Sequence, residues 1–234
     1  STTITARPSF QLMVSIVTEH ITSITTPQNR SSRLQPMVSA SLIKLFIMGA
    51  VYDKIETGAV KESDVSEKLE QMITVSDNAA ANSLTMLLGS GDEEAGRKTV
   101  ETWAASIGCE NVAYHRLMLA ENDLQNHVTA RDCAEILRQI YKKTCISEAV
   151  SEKMLQLLEN QQVNDRLPLL LPEDVTVAHK TGNLSGICIA DVGIVELKDS
   201  PYLICVICND PYTDAGATSE IAELSQSVYR AFAG

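Results

Sequence analysis

The stretch ICIADVGIVEL at residues 187–197, followed by KDSP at 198–201 and YLICVIC at 202–208, is the clearest structural signal in this chain. Both apolar runs are dense in isoleucine, valine and cysteine, and the segment between them carries Asp199, Ser200 and Pro201. Runs rich in β-branched residues and bounded by turn-forming residues are typical of β-strands. The sequence therefore predicts a strand, a turn and a second strand near the C-terminal end.

The rest of the chain contributes further strands and many helices. Residues 10–17 (FQLMVSIV) and 21–25 favour extended structure, and Pro27 with Asn29 marks its end. Apolar residues then recur at helical spacing, and Gly58, Gly89 and Gly108 are well placed to end three of the segments. The predicted helices span 41–57, 63–72, 77–88, 92–107, 130–142, 147–160 and 217–231.

The order of strands, many helices, strands and a last helix indicates an α+β protein, an α/β sandwich. Its antiparallel sheet would be built from N- and C-terminal strands, with a large central helical region beside it. No linker divides residues 1–234, so we expect one domain. The sheet lobe would comprise about 1–35 and 173–234, and the helical lobe about 36–172. A cleft between two such lobes is the expected place for a site.

Composition excludes several functions. The formal net charge is −11, and an acidic chain without a lysine or arginine cluster is unsuited to nucleic acid or anionic membranes. No run approaches the roughly 20 apolar residues of a membrane span. The six cysteines fit no metal-ligand spacing, so we expect buried thiols, with disulfides open if the protein is exported. Cys205 and Cys208 should lie on opposite faces of their strand.

Ser41 and Lys44 form the first pattern with chemical content. Residues three apart share one face of a helix, so the hydroxyl and the amine can meet. A buried lysine with a lowered pKa can take the proton of a serine, which makes the serine a nucleophile. The neighbours of this pair are almost all apolar. Alone, the pattern is weak and more often marks a structural serine at a helix start with a surface lysine.

Two other short patterns complete a set. Ser76-Asp77-Asn78 precedes the alanine-rich segment 79–82, where an ordinary helix N-cap would also place serine or aspartate. Lys180-Thr181-Gly182 precedes the strand at 187–197, where it could grip a carboxylate or simply form a turn. Gly182 would let a substrate backbone come close. Each pattern alone is common by chance.

Together, S-x-x-K, S-D-N and K-T-G occur once each, in this order, about 35 and about 100 residues apart. Residues 36–234 therefore resemble class A β-lactamases and penicillin-binding proteins, the serine hydrolases that react with penicillin. The resemblance implies Ser41 as nucleophile, Lys44 as general base and Ser76 as proton relay. It implies that Asn78 binds a substrate amide and that Lys180 and Thr181, with Gly182, bind the substrate carboxylate. The backbone N–H groups of Ser41 and Asn183 would form the oxyanion hole.

The segment that should supply the base for acyl-enzyme hydrolysis departs from the family pattern Arg-x-Glu-x-x-Leu-Asn. Aligned on Arg116, the glutamate position holds Met118, whose thioether cannot accept a proton from water. A second alignment makes Glu121 the base, with Gln125 in place of the asparagine, but the arginine then lies three residues too early. Glu121 is thus a candidate for the base, and a solvated loop carboxylate is the competing interpretation.

Three functions stay open on this basis. The first is a β-lactamase-like hydrolase that forms an acyl-enzyme on Ser41 with β-lactam or D-Ala-D-Ala-like amides. The second is a penicillin-binding or D,D-peptidase-like protein that releases the acyl group slowly, and the third is a non-catalytic β-lactam sensor or binding module. The resemblance implies no metal or organic cofactor, a monomer, a peptidoglycan-like or β-lactam substrate, and a location that is extracellular, at the cell surface or periplasmic.

Overall fold

The computed structural model describes the backbone of residues 13–20 and, in full, residues 34–233. A 3-10 turn, Ala40–Leu42, leads directly into the first helix. In chain order the elements are β1 (Met13–His20), β2 (Met37–Val38), α1 (Ile43–Glu56), α2 (Ser66–Thr74), α3 (Asn78–Leu88), α4 (Glu93–Ser106), β3 (His127–Val128), α5 (Ala130–Tyr141), α6 (Glu148–Glu159), β4 (Thr176–Leu184), β5 (Cys188–Glu196), β6 (Tyr202–Asn209) and α7 (Asp214–Ala233).

Four of the described strands form a sheet in the order β1-β6-β5-β4, in which every neighbouring pair is antiparallel, and β2 pairs with β3 in a separate two-stranded antiparallel sheet. The N-terminal strand therefore pairs with a strand from the C-terminal end, and the predicted α+β class is confirmed. The extended segment expected at 21–25 lies outside the described residues. The K-T-G sequence does not merely precede a strand, because it lies inside β4, where Thr181 pairs with Asp191 of β5. The polar residues and the glycine of this segment do not form the apolar pattern that predicts a strand. Pairing with β5 nevertheless keeps the segment extended.

The apolar strands β5 and β6 are buried on both faces. Leu203, Cys205 and Ile207 belong to the core that the sheet shares with helices α1 to α6. Ile204, Val206 and Cys208 belong to a second core, which also contains Ala217 and Ile221 of α7. Cys205 and Cys208 thus face opposite ways, as predicted. All six cysteines are buried, and no disulfide joins them in the described part of the chain.

Capping side chains fix where the helices begin. The N-cap residues of α3, α4, α5 and α6 each accept a hydrogen bond from a backbone N–H three positions on; they are Asp77, Asp92, Thr129 and Ser147. Gly58 and Gly108 have φ of 75° and 86°, the left-handed geometry of a helix stop. None of the described helices is long and apolar enough to cross a membrane.

Helices α1 and α4 pack in close contact at one point. A Cβ built on Gly49 would lie 1.8 Å from the Trp103 ring, so the indole occupies the space that any larger residue would need. Trp103 itself is 7% exposed and belongs to the core. The same helix α1 begins at the serine–lysine pair, so this contact helps to set the position of the candidate site.

Replacement of Gly49 by alanine should therefore destabilise the protein, although alanine is the better helix former. Overpacking of a core typically lowers the free energy of unfolding by about 1–3 kcal/mol, measurable by urea denaturation. In a Trp103→Phe background the same replacement should cost less, because the smaller ring leaves room for the methyl group. A Gly49→Ala variant as stable as the parent would contradict the close contact.

Candidate active site

Ser41 and Lys44 meet at the junction of the 3-10 turn and α1. The Lys44 Nζ donates to the Ser41 Oγ over 3.0 Å. Ser41 is 8% exposed and Lys44 is completely buried among the apolar residues of α1. The predicted contact between residues three apart is therefore present, and the competing interpretation of Lys44 as a surface residue is wrong.

The amine of Lys44 also makes contacts outside its own helix. It donates to the Ser76 carbonyl oxygen over 2.6 Å, to the Ser76 Oγ over 3.2 Å and to the Asn78 Oδ1 over 2.7 Å. None of these acceptors is a carboxylate. Burial therefore dominates and lowers the pKa of Lys44 to about 8, while the charge of the nearby Asp77 acts in the opposite direction. An appreciable minority of Lys44 is thus neutral near physiological pH, and this neutral form is the one that can act as a general base.

Lys180 reaches the same serine from the opposite side. It projects from β4 and donates to the Ser76 Oγ over 2.9 Å and to the Thr181 carbonyl oxygen over 2.9 Å. Complete burial, and then the charge of Lys44, hold the pKa of Lys180 well below its usual range. The Ser76 hydroxyl consequently lies between two amines, and it can exchange protons with either.

Gly182 has a different neighbour from the one expected. A Cβ at this position would lie 3.2 Å from the Ser39 carbonyl oxygen and 3.3 Å from the Leu42 side chain. The absence of a side chain therefore lets β4 pack against the turn that carries Ser41, rather than leaving space for a substrate backbone. The sequence could not distinguish these two uses of a glycine. The next residue, Asn183, is exposed and lies on the rim of the cleft beside Ser41.

Three residues of the site have unfavourable backbone geometry. Ala40, Ser76 and Leu119 have φ of 43°, 59° and 61°, values that residues with a side chain adopt at a cost of about 1–3 kcal/mol each. Ala40 precedes the nucleophile candidate, Ser76 is the proton-relay candidate, and Leu119 lies in the facing loop. Such strain persists only where surrounding contacts enforce it, and it is typical of functional sites.

The loop of residues 115–126 forms the opposite wall of the cleft. Asn126 receives hydrogen bonds from the backbone N–H groups of His115 and Arg116, at 2.8 and 3.0 Å, and its carbonyl oxygen accepts from Ser39 N over 2.8 Å. Asn82 of α3 binds both backbone groups of Met118, at 2.7 and 3.0 Å. Asn126 thus fixes the start of the loop, and Asn82 holds Met118 in place.

The cleft beside Ser41 has a volume of about 400 Å³ including its open mouth, and its lining comprises Ala40, Ser41, Asn78, Arg116, Met118, Leu119, Gln125, Asn126, Asn183 and Leu184. Met118 therefore lies at the cleft, whereas Glu121 is exposed and is not part of this lining. The geometry brings together Ser41, Lys44, Ser76, Asn78 and Lys180, and it leaves the Glu121 carboxylate on the outside of the loop.

Arg166 is a further cation close to the K-T-G strand, and no sequence motif predicts it. Its side chain is 2% exposed, and its charge contributes to lowering the pKa of Lys180. The Nε of Arg166 has no hydrogen-bond partner among the described residues. Its position in a segment without helix or strand, NDRLP at 164–168, carries no pattern that predicts burial.

His179 of β4 is buried and bonded to two neighbouring side chains. Its Nδ1 lies 2.9 Å from an oxygen of Asp191, and its Nε2 lies 2.9 Å from the Asn164 Oδ1. Asp191 also accepts from the Leu167 backbone N–H over 3.1 Å. These hydrogen bonds join β4 and β5 to the segment that carries Arg166. They therefore help to hold Lys180 and Arg166 in position.

Comparison with known proteins is consistent with this geometry. The model of the β-lactamase enzyme family matches residues 59–232. The extended-spectrum β-lactamase PER-1 of Pseudomonas aeruginosa is 31% identical in an alignment of 181 residues that covers 71% of this chain and 56% of that protein. The chain thus spans little more than half the length of this curated relative.

Solved structures show the same fold. The β-lactamase of Sphaerobacter thermophilus superposes with a TM-score of 0.82 at 21% identity, over 97% of this chain and 94% of that one. PBP-A superposes with a TM-score of 0.82 at 25% identity, over 96% of this chain and 92% of that one. The family match covers well over half of the sequence, so the chain belongs to the β-lactamase enzyme family.

Proposed function

We propose that the chain is a serine hydrolase that forms an acyl-enzyme on Ser41 with β-lactams or D-Ala-D-Ala-like amides and releases the acyl group slowly. The observation that carries this proposal is the buried amine of Lys44, which contacts both Ser41 and Ser76 and has a pKa lowered to about 8. A serine becomes a useful nucleophile at neutral pH only beside such a base.

Acylation follows from these contacts. Neutral Lys44 takes the proton of the Ser41 hydroxyl while the Ser41 Oγ bonds to the substrate carbonyl carbon. When the carbon–nitrogen bond breaks, the nitrogen needs a proton. Ser76 supplies it, because its hydroxyl lies between Lys44 and Lys180 and can be reprotonated by Lys44. The amide is cleaved without any external reactant, and the acyl group remains on Ser41.

The developing charges have partners in the same cleft. We assign the oxyanion hole to the backbone N–H groups of Ser41 and Asn183, where each preorganised donor contributes about 3–4 kcal/mol. A carboxylate on the leaving-group side would be bound by Lys180 and Thr181, and it would favour the protonated form of Lys180. Arg166 adds a second buried cation near this point. These cations suit an anionic substrate despite the net charge of −11.

Slow release of the acyl group from Ser41 is inferred from Met118, whose side chain has no basic oxygen. Hydrolysis of the acyl-enzyme needs a base that activates water near Ser41, and the residue that Asn82 holds at the cleft is a thioether. Neither PER-1 nor PBP-A decides between turnover and slow release for this chain. A single-site mutant of PBP-A has been solved as an acyl-enzyme complex with penicillin G. We therefore favour a penicillin-binding or D,D-peptidase-like role over an efficient β-lactamase.

A substrate of this class is met outside the cytoplasm, so we propose that the protein acts at the cell surface, in the periplasm or in the medium.

Intact-protein mass spectrometry after mixing with a chromogenic β-lactam tests the proposal. We expect one stoichiometric burst of absorbance and a persistent adduct of a single acyl group, and no adduct with Ser41→Ala. Continuous turnover with little adduct would contradict slow release and identify a true β-lactamase. An adduct that survives in Ser41→Ala would remove Ser41 from its proposed role.

A second experiment places a base at the position of Met118. Met118→Glu should shorten the lifetime of the adduct by about 100-fold, since a positioned general base typically contributes 10²–10⁴-fold. Met118→Gln is the matched control, with similar size and no basic oxygen, and it should leave the lifetime within about 3-fold of the parent. If instead Glu121→Gln prolongs the adduct, Glu121 is the base and Met118 is a bystander.

A further inference from the structure

A second cleft, separate from the one beside Ser41, lies between helices α1 and α4. Its volume is about 700 Å³ including its open mouth, which is large enough for a small organic molecule. We call it the indole cleft, and its lining includes Ala50, Asp53, Lys54, Lys98, Thr102 and Trp103. It shares no lining residue with the cleft beside Ser41. Lys44 and Asp53 are nine positions apart on α1, so about 14 Å of helix separates the two sites.

The base of the indole cleft is the side chain of Trp103, the single tryptophan of the sequence. The edge of its six-membered ring faces Gly49 of α1, so the pyrrole edge that carries Nε1 lies on the far side. Nε1 donates to no described residue, yet it is not sealed from solvent as the Tyr202 hydroxyl is. The side chain is only 7% exposed, so this N–H group would gain free energy from a ligand that accepts its hydrogen bond.

Two ammonium groups line the same cleft without a close carboxylate partner. Lys54 Nζ lies 3.8 Å from Asp53 Oδ2, and Lys98 Nζ lies 3.8 Å from Glu101 Oε2, both longer than a hydrogen bond. Glu101 is also engaged elsewhere, because its other oxygen, Oε1, accepts from the Tyr114 backbone N–H over 2.8 Å. Both lysines therefore retain N–H donors for a ligand.

The groups that line the indole cleft favour an organic anion. Two lysines outnumber the one aspartate in the lining, although the formal net charge of the chain is −11. Ala50 and the indole add apolar surface. A ligand with both an anionic group and a ring would accept hydrogen bonds from the N–H donors and cover this apolar surface. An inorganic anion would leave the apolar part uncovered, and a neutral molecule would leave the ammonium groups without a counter-charge.

We propose that the indole cleft binds a small organic anion. Its carboxylate or phosphate group would be held by Lys54, Lys98 and the Nε1–H of Trp103, and its ring would pack against Ala50. Carboxylate and phosphate share this recognition by N–H donors. The inference goes beyond the proposed acylation of Ser41 and depends on no residue of that chemistry.

The test uses phenyl phosphate and benzoate as probes, with the indole ¹H–¹⁵N signal of the single tryptophan as the reporter. Titration at constant pH and ionic strength should shift this signal saturably, with half-saturation below about 10 mM for at least one probe. The tighter probe identifies the preferred anionic group. Phenol, which has the ring without the charge, and inorganic phosphate, which has the charge without the ring, should each bind at least about 5-fold more weakly.

The double variant Lys54→Gln/Lys98→Gln should weaken binding of the tighter probe by about 5-fold or more. Both side chains are partly exposed, so this variant should fold. Lys61→Gln/Lys142→Gln is the matched control, because it removes the same charge from exposed lysines that do not line the indole cleft. The control should leave half-saturation within about 2-fold of the parent.

Ser41→Ala should bind the probe as the parent does, because the indole cleft is separate from the active site. A signal that does not saturate would overturn the inference, as would equal binding of phenol or of inorganic phosphate. Binding that the Lys54→Gln/Lys98→Gln variant leaves intact would overturn it too. Each of these outcomes leaves the proposed acylation of Ser41 standing, and failure of that acylation leaves the indole cleft standing.

Discussion

The burial of the Lys44 amine is the constraint on which the rest of the site depends. A lysine in water is protonated at neutral pH and cannot accept the proton of a serine. Here the side chain is completely buried, and its hydrogen-bond partners are uncharged oxygens of Ser41, Ser76 and Asn78. The folding free energy of the apolar core thus supports a group that would be unfavourable in isolation.

The rest of the fold brings three distant segments to this amine. The turn at Ser41 packs against β4 because Gly182 has no side chain. Asp77 is the N-cap of α3, which begins at Asn78, and this cap sets the positions of its neighbours Ser76 and Asn78. Strand β4 carries Lys180 on the face of the sheet that meets the helices. Strained backbone at Ala40 and Ser76 shows that packing, rather than local preference, sets the final geometry.

The sequence predicted the elements with strong periodicity and the residues in short motifs. Local spacing of residues predicts the strands around 187–208, the helices and the Ser41–Lys44 contact. Strand β4 was missed because His179, Lys180 and Gly182 form no apolar pattern; its pairing with β5 depends on contacts across the sheet. Arg166 and Asn82 were missed for the same reason, since burial and long-range hydrogen bonds leave no local signal.

The motif resemblance alone does not identify the water-activating base in the loop of residues 115–126. Two alignments placed either Met118 or Glu121 at the position of a water-activating base, and spacing could not choose between them. The hydrogen bonds from Asn82 hold Met118 at the cleft, while Glu121 is exposed beyond it. The motifs that the chain shares with the family support the proposed acylation of Ser41, and the residues of this particular loop bear on the proposed fate of the acyl group.

The most direct test of this account is the pKa of Lys44 in the folded, unmodified protein. Lysines labelled with ¹³C at Cε can be titrated by NMR, with the Lys44 signal assigned by its loss in Lys44→Arg. The account predicts a midpoint near 8, so that an appreciable minority of the amine is neutral when the protein meets substrate. A midpoint near the ordinary value of 10.5 would mean a protonated Lys44, and would contradict its role as the base that activates Ser41.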